Sequence, residues 1–136
     1  MINMLEQMDD LSLMTALIMG EAEAELFLGK LAVACVVRNR LADKRWPDTW
    51  AEVMLQKYQF SCFNADLIRP EITMQHWGRV AWRECRFAAF GVLCDYVGDI
   101  TEGANHYYAA SLVKQPYWAD GHRHTVDVGN HLFYKL

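Results

Sequence analysis

Apolar side chains crowd the first forty positions. Leu11, Leu13, Met14, Leu17 and Ile18 cover more than one helical face. A short helix that is apolar nearly all round is a buried one. Asp9 or Asp10 supplies an N-cap, so a first helix is predicted over 11–25. A second is predicted over 27–41, with Leu31, Val33, Ala34, Val36 and Val37 inside and Gly29 marking a break or a close approach. Its basic end, Arg38 and Arg40, suits the negative pole of the helix dipole. Trp46-Pro47-Asp48-Thr49 is a turn. Thr49 and Glu52 form a capping box that opens a short helix to about 56. Residues 57–72 lack a period. A long helix follows over 73–97, with Met74, Trp77, Ala81, Cys85, Ala88 and Val92 as its apolar stripe and Arg79, Arg83 and Arg86 as a wet face. The helical pattern stops at Gly98. The rest is rich in Gly, Asn and aromatics, and residues 103–111 and 125–135 read as short strands, with a hairpin turn at Gly129-Asn130. The chain therefore reads as helices followed by a small antiparallel β region, an α+β fold in one domain over 1–136.

Composition narrows the function classes. The 136 residues are 53% hydrophobic and 22% charged, which excludes a disordered tail or a charged coiled coil. Thirteen basic against seventeen acidic residues leave a net charge of −4, so nucleic acid is not an expected partner. Five Trp, six Tyr and six Phe exceed the needs of a core this small, and the surplus suits a binding cleft. The N-terminus has no basic segment of the signal-peptide kind, and the longest apolar run, 31–37, is too short to span a bilayer. We expect a product made in the cytoplasm without a signal peptide and without stable membrane association. No surplus apolar helix face is evident, so a monomer is expected. The four cysteines form no CxxC pair and no zinc spacing, so neither a disulfide nor a cofactor is expected. His122, His124 and Asp127 fit a solvated turn better than a metal site, and no metal is expected.

One carboxylate cluster stands out: Gly20-Glu21-Ala22-Glu23-Ala24-Glu25. On a helix Glu21 continues the buried face of Met14, Leu17 and Ile18. Glu25 falls one turn further, ~6 Å along the axis, and Glu23 points the other way. Desolvation and the helix C-terminus both favour a protonated acid at Glu21. A protonated carboxyl is what a glycosidase needs to protonate a leaving oxygen. The plainer reading is a solvated helix end.

Four blocks carry a family resemblance. Met19-Gly20-Glu21-Ala22-Glu23-Ala24-Glu25 resembles Y-G-E-A-R-G-E. Val36-Val37-Arg38-Asn39-Arg40 resembles V-x-N-R. Gln59-Phe60-Ser61-Cys62-Phe63-Asn64 resembles Q-F-S-C-W-N. The tail holds Gly103-Ala104-Asn105-His106-Tyr107-Tyr108, Pro116-Tyr117-Trp118-Ala119 and Gly129-Asn130-His131-Leu132-Phe133-Tyr134, similar to G-A-x-H-Y-h, P-Y-W-A and G-x-H-x-F-Y. In this order they resemble the SleB-type cell wall hydrolases, named for the spore cortex-lytic enzyme. Met19, Glu23, Phe63 and Tyr108 depart from the usual Tyr, Arg, Trp and His.

The resemblance implies a lysozyme-like α+β fold acting on peptidoglycan glycan strands. It implies lytic transglycosylase chemistry at the MurNAc–GlcNAc bond, with Glu21 as the catalytic acid and Glu25 matching the second acid of the motif. Gln59, Ser61 and Asn64 are expected to hydrogen-bond the sugar, or else to cap a loop. Tyr107, Tyr108, Tyr117 and Trp118 are expected to stack on sugar faces. Strand alternation allows only one of Tyr107 and Tyr108 to face the cleft. His106 and His131 either orient substrate or tie strands together. A water-using muramidase needs a second acid, Asp66 or Asp127. Two other classes compete: a cysteine peptidase or amidase using Cys62 with His106 or His131, and a non-catalytic peptidoglycan-binding module. The lone catalytic domain also resembles a phage endolysin, which implies access to the wall and periplasm after a holin permeabilises the membrane.

Overall fold

The computed structural model describes residues 4–56, 60 and 79–136. A short 3-10 turn, Met4–Gln7, precedes α1, Asp10–Ala22. Asp9 is the cap: its Oδ1 accepts from the Ser12 amide at 2.7 Å. Leu13, Met14, Ala16, Leu17, Ile18 and Met19 are all buried, as an all-round apolar helix requires. The helix ends three residues earlier than predicted. Glu23 is its C-cap, and the Glu25 amide turns back to the Ala22 carbonyl at 3.0 Å. Glu25 therefore does not continue the Glu21 face.

The second helix, α2, spans Phe27–Leu41 as predicted. It is the central element. Leu31, Val33, Ala34, Cys35 and Val37 join the core formed with α1 and with α4, Val80–Leu93. Ala32 and Val36 turn to the other side and pack on Ala104 and Phe133 of the β region. Gly29 is a close approach rather than a break, since a Cβ there would lie 2.8 Å from Glu25 Cβ. Thr49 caps the short α3, Trp50–Met54, by accepting from the Glu52 amide at 3.2 Å.

The long helix is shorter than the periodicity suggests. Arg79 is extended, so α4 begins at Val80, and residues 73–78, with Met74 and Trp77, lie outside the described residues. It ends at Leu93 because Asp95 adopts a left-handed φ of 58° and the Tyr96 and Val97 amides fold back onto the Gly91 carbonyl. Trp82, Cys85, Ala88, Ala89 and Val92 form the buried stripe. The outer face is not purely wet. Val80, Phe87 and Phe90 are exposed on α4, as are Arg83 and Arg86, and Leu26, Phe27 and Leu28 are exposed at the start of α2. The premise behind the expected monomer, no surplus apolar face, therefore does not hold.

Three strands make one antiparallel sheet in the order β1-β3-β2: β1 His106–Ala109, β2 His124–Val128 and β3 His131–Tyr134. His106 pairs with Tyr134 and Ala109 with His131, and a bulge interrupts β2 between His124 and Val126. The β2–β3 hairpin turns at Gly129-Asn130 as predicted. Gly129 has φ of 57°, a value glycine adopts without the cost of a Cβ. The V-x-N-R block ties the sheet to α2. Asn39 Nδ2 donates to the Ala104 carbonyl at 2.8 Å and Arg40 Nε to the Asn105 carbonyl at 2.7 Å. Asn105 in turn clamps the chain end, its amide exchanging two bonds with the backbone of Leu136.

Candidate functional site

The end of α1, the turn after it, the tip of the β2–β3 hairpin and the end of β1 converge on a cleft of about 310 Å³. Its walls are residues 19–25 on one side and Ala109, Asn130 and His131 on the other. Glu21 is half-buried on the helical wall, in the last turn of α1, where the carbonyl ends of the helix point. Its position follows from Leu17 and Ile18, which are fully buried one turn earlier and fix the rotation of the helix.

A buried cation interacts electrostatically with Glu21. Arg40 is 4% exposed, and its guanidinium sits 5.1 Å from the Phe60 ring and 5.5 Å from the Trp46 ring. Burial pulls its pKa down, while the nearby Tyr107 and Glu21 favour the charged form.

Glu25 also lines the cleft, but its carboxylate is engaged by protein. Oε1 accepts from the Asn130 amide at 3.1 Å, and Oε2 lies 3.4 Å from both the Asn130 amide and Nδ2. His131 Nδ1 lies 3.2 Å from Glu25 Oε1, outside hydrogen-bond geometry. Burial lowers the His131 pKa, and Glu25 opposes that shift in part. The remaining acid of the cluster, Glu23, is exposed at the rim.

The other expected site residues separate into three groups. Tyr107 lies on the inner face of the sheet, against His131 and Phe133, with ring centroids 5.1 and 5.5 Å away. Tyr108 points to the opposite face, stacked on Tyr134 at 5.8 Å and edge-on to Trp118. Strand alternation separates the two tyrosines as predicted, and the bond with Tyr108 pushes the Tyr134 phenol up to about 12. His106 shares the outer face with Trp118, 4.8 Å between centroids, and its Nδ1 meets Asn105 Oδ1 at 2.9 Å. Burial, with Arg40 and Arg45 nearby, depresses His106 to about 4. It is therefore neutral at physiological pH and bonded into the sheet rather than lining the cleft. Tyr117 is fully exposed. Gln59, Ser61 and Asn64, with Cys62 and Asp66, lie outside the described residues.

His124 Nε2 and Asp127 Oδ1 meet at 2.6 Å on β2, and the His122 amide bonds Asp120. Among the described residues no three His, Cys, Asp or Glu side chains are grouped to hold a metal ion. Asp127 does not line the cleft. Cys35 and Cys85 are buried free thiols and Cys94 an exposed one.

Sequence reasoning missed Ala109 and Asn130 as cleft residues and read Arg40 only as a helix-end charge. The V-x-N-R block was the available signal for Arg40. Asn130 is marked locally only as a hairpin-turn residue; its place opposite residues 19–25 comes from tertiary folding.

A helical lobe with an acid at the end of its first helix, closed by a small antiparallel sheet across a cleft, defines the lysozyme-like α+β class. The chain belongs to the cell wall hydrolase family, whose model matches residues 24–134. That match begins just after Glu21. Two solved structures share the fold. The catalytic domain of the germination-specific lytic transglycosylase SleB from Bacillus anthracis superposes with a TM-score of 0.72 at 21% identity, covering 98% of this chain and 97% of that one. The catalytic domain of the Bacillus cereus SleB protein gives 0.67 at 24% identity, covering 93% and 89%. No curated protein matches the chain.

Proposed function

We propose that this chain is a single catalytic domain that cuts the MurNAc–GlcNAc bond of peptidoglycan as a lytic transglycosylase, with Glu21 as its one acid and base. The observation that carries the reading is the placement of Glu21: half-buried at the end of a buried helix, on the cleft. Family membership supports wall cleavage, and the first of the two structural neighbours is named a lytic transglycosylase.

The chemistry needs one proton carrier. Glu21 donates to the glycosidic oxygen, and the GlcNAc hydroxyl leaves with that proton. Positive charge develops on the MurNAc ring. The Glu21 anion then takes the proton of the MurNAc 6-hydroxyl as its oxygen closes onto C1. A 1,6-anhydro end forms and no water is consumed. A muramidase would need a second carboxylate to act on water or on C1. Among the described residues, Glu25 is engaged by the hairpin tip and Asp127 by His124, which supports the one-acid route over a muramidase that would use either of them.

Digestion of purified sacculi, with products identified by mass spectrometry, tests the reading. Wild type is expected to release anhydro ends and Glu21→Gln none. Reducing ends would assign a muramidase, an uncut polymer a binding module, and loss of activity in Cys62→Ala a cysteine mechanism. The proposed role as a phage endolysin is tested by inducing the protein with and without a co-expressed holin. Lysis confined to cells with the holin is expected.

A further inference from the structure

The cleft has a second carboxylate that the chemistry above does not use. Glu25 is 8% exposed, and its carboxylate grips the hairpin tip through the Asn130 amide, 3.1 Å from Oε1. Two glycines make room for this grip from opposite sides. A Cβ on Gly29 would lie 2.8 Å from Glu25 Cβ, and one on Gly129 would lie 2.6 Å from Oε2. The backbone of the same residue is anchored from below. The Glu25 carbonyl accepts from Lys30 Nζ at 2.6 Å, and that buried ammonium pairs with Glu84 of α4 at 3.1 Å. A continuous polar chain thus runs from α4 through α2 and the α1–α2 turn to the hairpin.

We propose that Glu25 is a positioning residue: by clasping Gly129, Asn130 and His131 to the turn after α1, it sets the width of the cleft opposite Glu21 and exchanges no proton with substrate. The proposal rests on the assignment of Glu21 as the acid. Residues 19–25 form one wall and Ala109, Asn130 and His131 the other, so the clasp is a direct link between the walls. A carboxylate with its oxygens turned to a backbone amide and an Asn side chain is suited to holding rather than to proton transfer.

Kinetics on soluble glycan strands, pH–rate profiles and thermal melts of Glu25→Gln, Glu25→Ala and Gly129→Ala test it. Glu25→Gln keeps an acceptor for the Asn130 amide and is expected to retain most of kcat with both limbs of the pH profile in place. Glu25→Ala is expected to lose about 100-fold in kcat with little change in KM, the penalty of an ångström-scale misplacement of a reacting group. Gly129→Ala attacks the same contact from the hairpin side, leaves Glu25 in place, and is expected to lower kcat likewise. A Glu25→Gln protein as inactive as Glu25→Ala, or one missing a pH limb, would overturn the proposal in favour of a chemical role. Lowered melting with an unchanged kcat in all folded variants would overturn it in favour of a mere brace. Glu21→Gln is measured alongside. If it stays active the acid assignment fails, while the contrast among the Glu25 variants is still read by itself.

Discussion

Lys30 poses a question of which effect wins. Its side chain is 3% exposed, and an ammonium that deep costs several kcal/mol to desolvate unless its bonds return that energy. Nζ donates to the Glu25 carbonyl at 2.6 Å and to Glu84 Oε2 at 3.1 Å. The two bonds are unequal. Glu84 is 46% exposed, so its pairing is screened and contributes about 0–1 kcal/mol. The carbonyl bond is short, charge-assisted and buried, and contributes about 1.5–3 kcal/mol. Lys30→Met keeps the stem and removes both bonds together with the desolvation cost. The Glu25 carbonyl then loses its ammonium donor, which by itself costs about 1–3 kcal/mol. We expect a net loss of about 1–2 kcal/mol, a fall in Tm of about 4–7 °C for a chain of this length. Differential scanning calorimetry at low and high salt measures it. Glu84→Gln should lose less than Lys30→Met, and its loss should shrink with salt. A Lys30→Met protein that melts at or above wild type would show that the burial cost exceeds the bonds, and the anchoring role given to Lys30 would be refuted.

Two further outcomes are expected. His106 is held at about 4, and His131 is also lowered, so the unfolded chain binds more protons than the folded one below about pH 6.5. Their contribution is full above that pH and is lost as pH falls toward 4, on the order of 1–2 kcal/mol for His106 after discounting for solvent screening. Asp43, kept at about 2 by Arg45, holds its contribution to much lower pH. Melting curves between about pH 7 and 4.5 check this, and a flat Tm across that window would contradict it. Second, burial pushes Cys85 up to about 12 and Cys35 upward, whereas Cys94 is exposed. Iodoacetamide on the native protein should mark Cys94 and spare the other two, as read by peptide mass spectrometry. Equal labelling of all three would mean that the packing around α2 and α4 is wrong.

The helix boundaries show which information is local. α2 is legible at both ends because its apolar residues stop where Arg38 and Arg40 begin, and its packing only confirms that pattern. α1 overruns in any reading by propensity, since Glu21-Ala22-Glu23-Ala24-Glu25 contains good helix formers and no breaker. What stops it is tertiary: the ammonium of Lys30 on the Glu25 carbonyl and the hairpin amide on the Glu25 side chain. α4 behaves the same way at its end. Cys94-Asp95-Tyr96-Val97 offers no helix breaker, yet Val97 Cγ2 packs where a Cβ on Gly91 would stand, and the chain reverses through Asp95. Local sequence fixes which residues are apolar. It does not say which polar group a distant turn will claim.

The site divides along the same line. Glu21 is legible because a carboxyl on a buried stripe breaks the apolar pattern within seven residues. The opposite wall is legible only at His131, through its family block; Ala109 and Asn130 reach the cleft through the register of β1 and β3 and one glycine at φ of 57°. Spacing on an ideal helix placed Glu25 on the face of Glu21, beside it as a second acid. The early end of α1 turns it instead against the hairpin tip. The same three residues that end the helix therefore separate the roles of the two carboxylates: one is left beside open space and a guanidinium, the other is taken up in joining the walls. A fold that allowed α1 one more turn would present two acids in line and no clasp, and its chemistry would differ from the single-acid route proposed here.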